Sequence, residues 1–169
     1  MEINDSRVLF NNGKVEPLAS PPIVVADLIR TPENLGNLIR LAANIGIRKV
    51  VSVERVPLKE SKIRKTACMA WDYVELVHVT EEELFDILPS DYTLVAVETS
   101  AQSVNLYTTS LPEKSIFVLG NEVHGIRQEL LDRCPCHVHI PMTGPATSMN
   151  VSHAASVVLF EWVRQWLVG

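Results

Sequence analysis

The sequence predicts an α/β domain, a parallel sheet flanked by helices, within a single unit spanning residues 1–169. Three observations carry this. Short, nearly unbroken apolar runs recur at 23–29, 49–53, 93–97 and 116–119, as in strands covered on both faces. Segments suited to helices fall between them. Polar loops bounded by glycine follow the late strands, where parallel sheets build their ligand sites.

The elements follow in chain order. Residues 1–22 form an N-terminal lead-in segment, rich in Asn, Gly and Pro over 11–22. The first strand, 23–29, runs into Pro32, which opens a helix over 34–45 that Gly46 ends. A second strand at 49–53 precedes a short helix over 61–69 and a strand over 74–79. Thr80 and Glu83 have capping-box spacing, so a helix is expected to run to Leu88, just before Pro89. Strands follow at 93–97 and 116–119, then a helical turn at 127–131 and a strand at 137–140. The last helix starts near Met149, with Val151, Ala154, Ala155, Val158, Leu159, Trp162, Val163 and Trp166 forming its apolar stripe.

Composition narrows the function classes. No apolar stretch approaches the roughly 20 residues that cross a bilayer, and the start lacks a basic, apolar leader. Three cysteines without framework spacing suit reduced thiols and a cytoplasmic location. Cys134, Cys136, His137 and His139 are ligand types, but Cys136 and His137 alternate in a strand and no second cluster completes a set, so no metal site is expected. The net charge of −5 argues against a nucleic-acid binder until its distribution is read. Seven of fifteen basic residues, Arg48, Lys49, Arg55, Lys59, Lys62, Arg64 and Lys65, fall within 48–65, opposed there only by Glu54 and Glu60. A local basic patch on an acidic body can hold phosphates; the plainer reading is a solvated surface.

Three polar clusters carry the chemistry. Asn37, Arg40 and Asn44 share one face of the first helix, where Arg can present a fork to phosphate. Glu122 sits between Gly120 and Gly125 in a turn that lets a ligand approach the main chain. Ser148 and Asn150 sit at the mouth of the last helix, whose free N–H groups can hold a polar ligand, although Ser148 as an ordinary N-cap is the simpler reading.

These clusters, in this order from Ile23 to Trp166, resemble the motifs of the SpoU/TrmH-type RNA 2′-O-ribose methyltransferases of the SPOUT superfamily. The first is Asn34-Leu35-Gly36-Asn37 through Arg40. The second is Leu119-Gly120-Asn121-Glu122 through Gly125. The third is Ile140-Pro141-Met142 followed by Ser148-Met149-Asn150-Val151-Ser152. The resemblance implies a C-terminal deep trefoil knot within a cofactor-binding region over 115–166. It also implies S-adenosylmethionine as cofactor and a homodimer formed through the C-terminal helix with Trp162 and Trp166. By position it assigns Asn34, Arg40, Glu122, Ser148 and Asn150 to catalysis, and Glu98, Thr99, Leu119, Gly120, Ile140, Met142 and Met149 to the cofactor. The expected reaction is methylation of a ribose 2′-hydroxyl in structured RNA, tRNA before rRNA, with the basic stretch holding the RNA backbone. A non-catalytic binding module and a base-nitrogen methyltransferase are the rivals. The sequence departs from the family at 63–68, where relatives carry a small-residue turn, and at His153, a position more often small or apolar.

Overall fold

The structure, a computed structural model, describes residues 18–168. Of the lead-in segment, residues 1–17 lie outside the described residues. Seven strands form one sheet: β1 (Ile23–Asp27), β2 (Lys49–Val53), β3 (Glu75–Val79), β4 (Thr93–Val97), β5 (Val104–Asn105), β6 (Ser115–Leu119) and β7 (Cys136–His139). Their spatial order is β3-β2-β1-β6-β4-β7-β5, and every pairing is parallel. The helices are α1 (Pro32–Asn44), α2 (Glu60–Ala67), α3 (Gln128–Leu131) and α4 (Val151–Val163), the last continuing as a wider turn over Arg164–Val168.

The central strands β1 and β6 are buried along their whole length, which is why their sequences are unbroken apolar runs rather than alternating ones. Alternate residues feed two cores. Val24, Ala26, Val50, Val95, Phe117 and Val138 pack with α1, α2 and α4. Val25, Val51, Ala96, Ile116 and Val118 face the second core with Leu84, Ile126 and Leu130. α1 starts with Pro32 in its first turn and ends before Gly46, whose φ of 80° suits glycine. Gly36 lets α2 lie directly on α1, since a Cβ there would run into Thr66 and the Ile63 carbonyl.

Three expectations change. The helix expected after Thr80 is a single tight turn, Leu84–Asp86. Its capping box forms, with Thr80 N–H donating to Glu83 (2.9 Å) and Glu83 N–H to Thr80 Oγ1 (3.4 Å), but Pro89 leaves too few residues to propagate a helix. The 97–106 segment contains an unforeseen two-residue strand, β5, on the far edge beside β7. Trp162 does not face outward as a subunit contact. It is 2% exposed, and its indole N–H donates to the Pro112 and Glu113 carbonyls (both 3.1 Å), while Trp166 is 44% exposed. Among the described residues no helix is long and apolar enough to cross a membrane.

Candidate active site

The strand ends on one side of the sheet open into a cavity of about 570 Å³. Its walls come from the residues after β4 (Val97, Glu98, Thr99), the turn after β6 (120–125), the exit of β7 (His139, Ile140, Met142) and the approach to α4 (147–151). All seven residues expected to meet the cofactor line it: Glu98, Thr99, Leu119, Gly120, Ile140, Met142 and Met149. So do Glu122, Ser148 and Asn150.

A chain of hydrogen bonds joins the three polar clusters. Glu122 accepts from the backbone N–H groups of Arg30 (3.0 Å) and Thr31 (3.1 Å) and from the Asn34 amide (2.9 Å). Asn34, only 7% exposed, uses its remaining oxygen to accept from the Asn150 amide (3.0 Å). The Asn150 oxygen in turn caps α4, accepting from Ser152 N–H (2.9 Å) and Ser152 Oγ (2.7 Å). Each amide orientation is forced by the next: a carboxylate only accepts, so Asn34 must present its NH₂ to Glu122 and its oxygen to Asn150. The helix cap is therefore Asn150, not Ser148, which lies exposed on the cavity wall. Burial works against the Glu122 charge, but the donors from Arg30, Asn34 and Thr31 outweigh it and hold the carboxyl below its usual range.

The turn carrying Glu122 is built just as tightly. Asn121 and Gly125 exchange backbone hydrogen bonds (both 2.9 Å), and the Asn121 side chain donates to the Leu28 carbonyl (2.6 Å). A Cβ on Gly120 would collide with the Gly125–Ile126 backbone, and one on Gly125 with the Glu98 carboxylate, so both glycines serve the closed turn. Glu98 accepts from Ile126 N–H (3.0 Å) and Thr99 N–H (2.9 Å), which makes its carboxylate a brace of the wall. Leu28 has a φ of 53°, a conformation a leucine holds only under constraint; its N–H is held by the Val53 carbonyl (3.1 Å) and its own carbonyl by Asn121.

Sequence reasoning missed the pair behind this turn. Asp27, fully buried at the end of β1, accepts from Arg127 through its backbone N–H (3.1 Å), Nε (2.8 Å) and Nη2 (2.8 Å). Arg127 also pairs with Glu81, which takes Arg55 Nε at 2.5 Å. The available signal was a lone carboxylate closing an apolar run, since a buried charge needs a partner.

Arg40 is not in the cavity. With Asn37 and Asn44 it lies exposed on α1, and it borders a second, largely apolar groove of about 810 Å³ with Ile45, Met69, Tyr73, Phe160 and Leu167. The basic residues trace a band rather than one patch. Arg48 and Lys49 stand at the start of β2 and Arg55 two residues past its end; Lys59 then takes the N-cap position of α2, which carries Lys62, Arg64 and Lys65. Three have acidic neighbours: Arg55 beside Glu81, Lys62 beside Glu33 (3.7 Å) and Arg64 beside Glu60 (3.7 Å). Arg64 also sits over the Trp71 ring at 4.9 Å. The Cys/His group around β7 is tied up locally. His137 Nε2 faces the Leu131 and Cys134 carbonyls (3.1 and 2.9 Å), His139 Nδ1 meets Ser103 Oγ (3.0 Å), and burial pushes the Cys134 thiol up to about 12.

Comparison with known proteins bears directly on this arrangement. The sequence model of the SpoU rRNA Methylase family matches residues 21–160. The chain belongs to the SpoU rRNA methylase family. It is 34% identical over 151 residues to the mouse tRNA (guanosine(18)-2′-O)-methyltransferase TARBP1, covering 87% of this chain and 10% of that protein. It is 33% identical over 155 residues to the 23S rRNA (guanosine-2′-O-)-methyltransferase RlmB of Neisseria meningitidis, covering 89% and 62%. Among solved structures, an AdoMet-bound rRNA methyltransferase from Sinorhizobium meliloti superposes with a TM-score of 0.79 at 25% identity, over 90% of this chain and 59% of that one. The chain thus spans about six-tenths of the length of the bacterial relatives it matches.

Proposed function

We propose that the protein transfers a methyl group from S-adenosylmethionine to a ribose 2′-hydroxyl of a structured RNA. The observation that carries this is the Glu122–Asn34–Asn150 chain, which draws three distant stretches of sequence around one cavity. The cavity suits the cofactor in kind: about 570 Å³, with apolar walls from Leu119, Ile140 and Met149 and the 120–125 turn along one side. When bound, S-adenosylmethionine would supply an electrophilic methyl for in-line attack by the ribose oxygen, the S–C pair returning to the sulfur of S-adenosylhomocysteine as that thioether leaves and the hydroxyl proton passing to water.

The residues of this chain do the positioning. Glu122 and Asn34 fix the Asn150 amide, so the cavity floor is ordered before substrate arrives and little reorganisation remains for the reaction. Ser148 offers a hydroxyl at the rim for the sugar. Arg40 holds an RNA phosphate beside the reacting hydroxyl and stabilises charge developing on its oxygen; a guanidinium stays protonated, which makes this role easier than that of a base. Because Arg40 lies outside the cavity of its own protomer, a homodimer that sets the α1 face against a second copy is the assembly that would deliver it. The exposed Phe160, Trp166 and Leu167 at the end of α4 support that contact. The placement of β7 between β4 and β5, with α4 lying on the 106–114 segment, is what supports a trefoil-knotted path for the C-terminal region. tRNA ranks ahead of rRNA on the TrmH-like 97–106 segment, while among the relatives TARBP1 is named for tRNA and RlmB for 23S rRNA; the free cysteines support a cytoplasmic location.

The test is incubation with labelled S-adenosylmethionine and bulk tRNA or rRNA, followed by nuclease digestion. A labelled, uncut 2′-O-methylated dinucleotide is expected. Label in a modified base would establish the base-nitrogen rival, and no label in any RNA the non-catalytic one.

A further inference from the structure

The tip of the 120–125 turn has one unexplained property. Its backbone is held from every side, yet its two central side chains face solvent. Asn121 Oδ1 accepts from Val123 N–H (2.8 Å) and His124 N–H (3.2 Å), the Asn121–Gly125 pair closes the base, and Glu122 is fixed from below by three donors. Val123 is nonetheless 65% exposed, and His124 is exposed with no side-chain hydrogen bond among the described residues. Both border the cavity beside Glu122. A β-branched valine on a fixed backbone has little rotamer freedom, so the tip is a rigid apolar edge with an imidazole next to it.

Chemistry says what meets such an edge. If a ribose 2′-oxygen reaches into the cavity, the base is attached one carbon away and must rest on the rim. Unstacked RNA bases are commonly received on aromatic faces, histidine included, and on apolar side chains. We propose that Val123 and His124 form the platform for the nucleobase of the nucleotide being methylated, His124 by stacking or edge hydrogen bonding and Val123 by apolar contact. This rests on the ribose-methylating reading above and names the part of the substrate that the rim recognises.

The experiment uses the full chain. Bulk tRNA and rRNA are first methylated to find the responding RNA and its nucleotide. That RNA is then prepared with its natural base and with the base removed at that one position. Wild type is expected to lose about five- to hundredfold in kcat/KM on the abasic RNA, the range for loss of one stacked base. The Val123→Ala/His124→Ala variant should lose a similar factor on natural RNA, mostly in KM, and little more on the abasic one. Its affinity for S-adenosylhomocysteine by calorimetry should stay within about twofold, as expected when truncation to alanine leaves the main chain of the turn and the walls at Leu119, Ile140 and Met149 in place. Losses that multiply, indifference of wild type to base removal, an equal loss of cofactor affinity, or a changed dimer in sedimentation would each overturn the platform. Absence of methyl transfer by wild type would instead overturn the proposed function.

Discussion

The cavity and the apolar groove are opposites in construction. Around the cavity, polar side chains are spent on one another: Glu122 on Asn34, Asn34 on Asn150, Asn150 on α4, Asn121 on Leu28, Glu98 on Ile126 and Asp27 on Arg127. Around the groove, Met69, Tyr73, Phe160 and Leu167 are exposed, and Arg40 stands at the edge. A site whose geometry must be set in advance is laced by directional bonds, whereas a surface that adapts to another macromolecule is left open and apolar. On the proposed reading the first is the reacting site and the second the assembling surface, which carries Arg40.

The largest expected effect sharpens that division. Arg40→Ala should lower kcat by roughly a hundredfold or more, as removal of a charge-stabilising donor does, while S-adenosylhomocysteine affinity by calorimetry stays unchanged. Retained activity would return Arg40 to the solvated surface. Next come the buried charges behind the cavity: Arg127→Met should destabilise by about 3–5 kcal/mol in urea unfolding, because the fully buried Asp27 is left unpaired, and Asp27→Ala by less, because Arg127 keeps Glu81. A loss below about 1 kcal/mol would mean water reaches the pair. Asn150→Ala removes the α4 cap and the last link from Asn34, with an expected loss of about 1–2 kcal/mol in the same measurement. On the groove side, Leu167→Glu should shift the sedimentation of the protein toward the monomer without lowering its melting temperature by more than about 2 °C, as expected of a surface position.

The smallest effect is in pH. The folded Glu122 carboxyl titrates below its ordinary range. Its contribution to stability is therefore complete above the unfolded value, about 4.3, and is lost as pH falls through the folded value. Glu122→Gln should flatten the acid limb of the melting temperature. An unchanged limb would mean its donors do not favour the charged form.

Much of the fold was legible because buried parallel strands leave an unmistakable pattern: 49–53 and 93–97 match β2 and β4 residue for residue. The segment after Thr80 misled because a cap signals where a helix starts, not whether anything sustains it; here Glu81 is drawn to Arg127 and Arg55 instead. Ser148 and Asn150 are both good capping types two residues apart, and only the bond from Ser152 N–H to the Asn150 oxygen, whose amide Asn34 orients, decides between them. Asn34, Glu122 and Asn150 were recognisable as a set through family resemblance, but their mutual bonds, 88 and 116 positions apart, are a product of the fold. Asp27 and Arg127 went unremarked for the same reason, being 100 positions apart. The orientation of Trp162 could not be read because α4 is apolar around much of its surface.

Crystals grown with S-adenosylhomocysteine give the most direct test. The ligand is expected between the 120–125 turn and the 140–149 segment, with Asn34 still bridging Glu122 and Asn150. Density for it in the groove beside Arg40, or calorimetry showing no uptake by the protein, would contradict the account.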